Sequence, residues 1–237
     1  MQKMTVNDKD LFGIEDTEIK GAIFDLDGVL VDTAKYHYLA WKRLARELGF
    51  DFSEEDNEKL KGVSRIKSLE ILLETGGLKL TDVQKEKAAA RKNSWYVEYL
   101  YTLDEKALLP GSKEYLILLK ENGIRIALGS ASKNSPLILE RLNIVSFFDA
   151  IIDGNCVTKA KPDPEVFLKG AMALGLSPES CVVFEDALAG IEAAKAGGMK
   201  VIGVGKPEIL PGADLYIESL DDMLAFTTPG KGRKALK

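Results

Sequence analysis

The chain has 237 residues, a formal charge of −5 at pH 7, and 46% hydrophobic and 29% charged residues. This is room for one sizeable core, or a core with a smaller insertion, in an ordinary globular composition. The acidic balance speaks against a nucleic-acid partner, so an anionic ligand would need locally placed cations. No apolar run approaches the ~20 residues that span a bilayer, and no membrane partner is expected.

Residues 1–18 are polar and acidic with scattered apolar side chains, and a loose extension is expected there. Residues 21–34 read GAIFDLDGVLVDTA: an apolar run, Ala22 to Phe24, predicts a buried strand, and Gly28 lets the chain turn away at once. Residues 34–48 place Tyr36, Ala40, Leu44 and Leu48 at helical spacing with Trp41 alongside, and Gly49 can end that helix. From residue 50 to about 103 the pattern stays helical, with helix starts at Ser53, at Ser64 before Ile66, Leu69, Ile71 and Leu72, and at Thr81–Asp82. After Leu109-Pro110-Gly111, helix and strand alternate: helices over 112–122, 134–142, 164–174 and 187–196, strands over 124–128, 149–152, 181–184 and 200–204, then a short pair at 215–217 and 220–226. Such alternation predicts an α/β fold, a Rossmann-like, mostly parallel sheet covered on both faces, interrupted by an all-helical insertion. The expected division is a core of residues 19–33 and 105–226, a helical cap of 34–104, the extension 1–18 and a basic tail 227–237.

Cys156 and Cys181 imply no disulfide framework, and Cys181 at the head of an apolar run reads as a small buried hydrophobe. The first twenty residues lack a continuous apolar core and do not read as a signal peptide, so a cytoplasmic setting is expected.

Four stretches carry chemistry, three of them at strand ends. Asp25 and Asp27 start on the same side of the backbone at the tip of a buried strand. Crowded carboxylates there call for a bound cation or a catalytic division of labour, one acid ionised as nucleophile or ligand and the other carrying a proton. Gly129-Ser130-Ala131-Ser132-Lys133-Asn134 offers hydroxyls and free helical N–H groups to a phosphate, although a plain serine-capped turn fits too. In Thr158-Lys159-Ala160-Lys161-Pro162-Asp163-Pro164, Pro164 suits the first turn of a helix and Asp163 its cap. Lys161 before a rigid proline can present a fixed charge to a phosphoryl group, while Lys159 reads as a solvated cation. Glu185 and Asp186 end another buried strand, and with Asp25 they could hold one Mg²⁺, which prefers oxygen ligands. One of the two could instead cap the next helix.

Taken together, DLDGVLVDT, the Ser130 turn, Lys161-Pro162 and Glu185-Asp186 resemble, in order, the motifs of the haloacid dehalogenase (HAD) superfamily of phosphoryl-transfer enzymes. The resemblance implies Asp25 as nucleophile, Asp27 as acid–base and as a metal ligand through its carbonyl, and Ser130 and Lys161 as partners of the transferring phosphoryl group. Leu60 to Arg65, LKGVSR, resembles the cap loop of the β-phosphoglucomutase subgroup, as does the run holding His37, Ala40 and Trp41. That implies substrate contacts from Thr33, His37, Trp41, Lys61, Gly62, Val63, Ser64 and Arg65, and from Ser130, Ala131, Ser132, Lys133 and Asn134. A lone histidine such as His37 has a structural role as its plain alternative.

The implied activity is a mutase, with Mg²⁺ as cofactor and a small phosphosugar as sole partner. It would interconvert β-glucose 1-phosphate and glucose 6-phosphate through an aspartyl phosphate and a hexose 1,6-bisphosphate. A monomer is expected. A phosphatase of the same fold would use the same motifs with water as acceptor. A non-catalytic phosphosugar-binding module is the rival from another class, and the Asp25–Asp27 pair argues against it, since binding alone needs no nucleophile.

Overall fold

The computed structural model describes residues 11–14, 18–60 and 63–226. Among these residues one six-stranded parallel sheet runs in the order β3-β2-β1-β4-β5-β6, with β1 Gly21–Phe24, β2 Arg125–Gly129, β3 Ala150–Ile152, β4 Cys181–Glu185, β5 Lys200–Val204 and β6 Leu215–Ile217. The strand order reverses beside β1, and in such sheets the crevice beyond the carboxyl ends at the reversal is where ligands bind. The predicted strands are all present, with ends displaced by a residue where a strand meets its turn.

Alternation on β1 splits the interior. Ala22 and Phe24 join one apolar cluster, in which Phe24 stacks on Phe184 with ring centroids 4.5 Å apart, and Ile23 joins the other with Ala127, Phe167 and Val183. Both faces of the sheet are therefore buried, which is why its strands read as continuous apolar runs.

Between β1 and the sheet's second strand lie α1 Ala34–Glu47, α2 Glu54–Glu58, α3 Arg65–Thr75 and α4 Asp82–Leu100, with no strand among the described residues of this span. Their starts follow the sequence: Ser53 and Thr81 each form a capping box, and Ser64 accepts from the Lys67 N–H. Gly49, with φ +93°, follows the end of α1. In α3 the buried stripe is Ser68, Leu69, Leu72 and Leu73, so Ile66 is exposed, contrary to the expected apolar face. The later helices are α5 Ser112–Glu121, α6 Ser135–Arg141, α7 Glu165–Leu174, α8 Leu188–Ala196 and α9 Leu220–Phe226.

The N-terminal expectation needs correction. Leu11 and Phe12 are buried in the core, and the Leu11 carbonyl accepts from the buried Tyr115 hydroxyl. Three apolar side chains in four residues, Leu11, Phe12 and Ile14, are enough to seat this stretch against the sheet. The rest of the expected extension that is not described, residues 1–10 and 15–17, and the tail 227–237 lie outside the described residues, as do Lys61 and Gly62. No helix among the described residues is long and apolar enough to cross a membrane.

Candidate active site

Register builds the site. Phe24 pairs with Leu128 on one side and Phe184 on the other, so Asp25, Ser130 and Glu185 leave adjacent strands at one edge. The Asp25 N–H still donates to the Phe184 carbonyl at 2.9 Å, holding the first acid in line.

Lys161 arrives from the loop before α7. Its Nζ lies 2.6 Å from Asp25 Oδ1 and 2.7 Å from Glu185 Oε2, and 4.7 Å from the centre of the Phe167 ring. All three charged groups are buried. Burial alone would lower the lysine, but the Asp25 and Glu185 carboxylates override it and hold Lys161 above the ordinary range. Burial pushes Glu185 up, to about 8, with Lys161 pulling against it.

Ligand oxygens of Asp25, Glu185 and Asp186 all lie within 4.8 Å of one another. Gly28, at φ +81°, leaves no room for a Cβ beside Asp186, and Gly190 leaves none beside Glu185, so both acids are pressed into place by backbone. Three carboxylates against one ammonium leave two negative charges when all are ionised, in an all-oxygen donor set. The residues present therefore fit a hard divalent cation. Glu185 also accepts from the Ala187 N–H at 3.2 Å, so the helix-capping alternative holds for it in part, while α8 itself has Ala187 as its cap without a side-chain bond.

Asp27 does not share Asp25's partners, because β1 ends at Phe24 and the strand period lapses there. It accepts a hydrogen bond from the Thr33 hydroxyl, which accepts in turn from the Tyr96 hydroxyl at 3.2 Å. Burial raises Asp27 to about 7, Thr33 pulls it down, and the charges of Asp25 and Asp32 push it up. An acid poised there can give and take a proton near neutrality.

This shift has a measurable consequence. A carboxyl raised in the fold from 3.8 to about 7 contributes stability that is present below pH 4 and lost as pH rises through 7. In metal-free protein held in chelator, Asp27→Asn should match the wild type in thermal unfolding near pH 4. It should exceed it by on the order of 2–4 kcal/mol at pH 8. A gap that fails to widen with pH would show that Asp27 stays ionised in the fold.

Thr33 and Trp41 are fully or almost fully buried. Thr33 serves Asp27, and Trp41 lies under the Lys92 ammonium, 4.4 Å from its ring centre. Lys92 and Tyr96, both on α4, are the residues that sequence reasoning missed. Lys92 Nζ is 2.8 Å from His37 Nδ1, and the His37 ring stacks on Tyr96 at 4.0 Å. Burial first, then the charges of Lys92 and Arg65, hold His37 well below its usual range, so the neutral ring accepts at Nδ1. Burial and Arg65 also lower Lys92, while Asp27 raises it. The signal was available: Lys92 interrupts the buried face of α4 between Ala89 and Tyr96.

Arg65 is half-buried at the start of α3, near enough for its charge to act on His37, Lys92 and Tyr96. Val63 and Ser64 beside it are exposed. Ser130 is buried with its Oγ accepting from the Ser132 N–H, and Ala131 and Lys133 are exposed. Asn134 Nδ2 donates to Asn93 Oδ1 at 3.0 Å, tying the Ser130 turn to α4. Lys159 is an exposed cation paired with Asp163 at 3.1 Å, as expected. Pro164 stands at the N-cap rather than inside the first turn, and Asp163 caps by accepting from the Glu165 N–H.

A buried acid cluster bridged by lysine at this edge of a parallel sheet is the arrangement of a phosphoryl-transfer enzyme using a metal ion. The model of the haloacid dehalogenase-like hydrolases matches residues 19–198, and the chain belongs to that family. It is 45% identical to the β-phosphoglucomutase of Bacillus subtilis strain 168, over 86% of this chain and 92% of that protein. A phosphorylated carbohydrates phosphatase of Thermotoga maritima is 33% identical over 78% of this chain and 84% of that one. Among solved structures, a β-phosphoglucomutase from Clostridium difficile superposes with a TM-score of 0.82 at 42% identity, covering 86% of this chain and 92% of that one.

Proposed function

We propose that the protein is a phosphosugar mutase that interconverts β-glucose 1-phosphate and glucose 6-phosphate through a hexose 1,6-bisphosphate. The observation that carries this is a site with two poles. One is the Asp25–Lys161–Glu185 cluster at the sheet edge, and the other is the half-buried Arg65 at the start of α3 on the helical insertion. A bisphosphate needs both poles, whereas simple hydrolysis needs only the first. The similarity to the B. subtilis β-phosphoglucomutase supports the same reading.

In this reading Asp25 attacks phosphorus and carries the phosphoryl group as an aspartyl phosphate. Asp27 gives its proton to the departing sugar oxygen, then takes one from the incoming hydroxyl. Lys161 and Ser130 donate to the oxygens on which charge accumulates. Asp25, Glu185, Asp186 and the Asp27 carbonyl would hold Mg²⁺, which when bound would supply further neutralisation of phosphoryl charge. Arg65, with Lys61 to Ser64 and Ser132 to Asn134, grips the remote phosphate and the sugar. Residues 34–104 act as a cap over a core of 19–33 and 105–226, excluding water while the acyl phosphate persists. The protein works as a cytoplasmic monomer on a small phosphosugar.

A second reading is a phosphatase acting on a phosphosugar, favoured by the T. maritima relative. Incubation with β-glucose 1-phosphate, Mg²⁺ and a catalytic amount of the bisphosphate separates the two. The mutase yields glucose 6-phosphate with little inorganic phosphate. Phosphate release matching substrate loss would select the phosphatase.

A further inference from the structure

Lys161 must be delivered to its two carboxylates by a stretch with no regular structure of its own: from the end of β3 at Ile152 to the start of α7 at Glu165 there is neither strand nor helix. Such a stretch lacks a ladder or helical turns to fix its backbone, so something else must.

Glu165 does so. Its Oε2 accepts from the Thr158 N–H at 3.0 Å, the Thr158 hydroxyl at 3.0 Å and the Lys159 N–H at 2.8 Å. Its Oε1 faces Lys169 Nζ at 2.6 Å, and that ammonium also donates to the Cys156 carbonyl at 2.7 Å. One carboxylate and one ammonium on the first turns of α7 thus staple residues 156, 158 and 159, just ahead of Lys161. Lys169, the two backbone N–H groups and the Thr158 hydroxyl outweigh partial desolvation and hold Glu165 down to about 2, so the staple stays ionised throughout the neutral range. The same helix supplies Phe167, whose ring flanks the Lys161 ammonium.

We propose that Glu165 is a positioning residue for catalysis, acting through Lys161 by fixing the loop that carries it. The inference rests on Lys161 being the charge partner of the transferring phosphoryl group. Hydrolysis of p-nitrophenyl phosphate by the full chain in Mg²⁺ tests it, since that reaction calls on Asp25 and Lys161 whichever acceptor is natural. Glu165→Ala should lower kcat by about 10- to 100-fold, the scale of an ångström's misplacement. KM should change less than about threefold if only the chemical step is impaired. Glu165→Gln keeps an oxygen for the Thr158 and Lys159 donors and should recover most of the loss.

The deciding measurement is the double variant. In a Lys161→Ala background, Glu165→Ala should cost less than about twofold more, because its only route of action is gone. If Glu165→Ala does not fold, Glu165→Ser, compatible with a helix start and too short to reach Thr158, replaces it in the same cycle. Equal losses with and without Lys161, or no rescue by glutamine, would overturn the proposal. A Lys161→Ala enzyme with full activity would instead overturn the reading of Lys161 itself.

Discussion

Replacing Asp25 with asparagine is expected to reduce phosphoryl transfer by roughly 10⁴-fold or more while the protein remains folded. The side chain sits where β1 ends, buried, with one oxygen on Lys161 at 2.6 Å. Asparagine fills the same space and keeps an oxygen for that bond, so packing around Phe24 and Phe184 should hold. What is lost is the anionic oxygen able to bond phosphorus. Intact-protein mass spectrometry after exposure to the bisphosphate should find one added phosphoryl group on the wild type and none on Asp25→Asn. A variant that retained either turnover or the phosphoryl adduct would remove Asp25 from the nucleophile's role.

The second large effect is expected at Lys161. Lys161→Ala should cost about 10²- to 10³-fold in kcat, the scale of losing one preorganised donor to developing charge. It should also unfold more easily, unlike Asp25→Asn. Its ammonium lies between two buried carboxylates at 2.6 and 2.7 Å, and removing it leaves both without their counter-ion. Breaking such a buried pair by deleting one partner costs about 3–5 kcal/mol. Mg²⁺ should offset part of that loss, since Asp25 and Glu185 belong to the carboxylate cluster that would hold it. Thermal unfolding with and without the ion should therefore show a larger metal-induced rise in Tm for Lys161→Ala than for the wild type. Equal rises would mean that lysine and ion do not share those carboxylates.

Much of this was legible in the sequence because it is local. Turn glycines, capping serines and threonines, and apolar runs of strand length depend on neighbours a few residues away, and they placed the sheet, the helical insertion and the acids at strand ends. Asp25, Ser130 and Glu185 were legible one by one, each as an acid or hydroxyl at the end of an apolar run, and Lys161 as a cation before a proline. What pattern misread was burial across elements: Leu11 and Phe12 looked like part of a polar leader.

Alone, the sequence determined which chemical groups are available: carboxylates and a hydroxyl at three strand ends of a parallel sheet, and a lysine in a loop. Only the tertiary structure decided how they are deployed. It set Asp25 against Lys161 and Asp27 against Thr33, brought Lys92 of the insertion to His37, and made Glu165 the staple of the lysine loop. The reason is physical: hydrogen-bond partners and desolvation are properties of neighbours in space, and here those neighbours lie 136, 6, 55 and 6 residues apart in the chain.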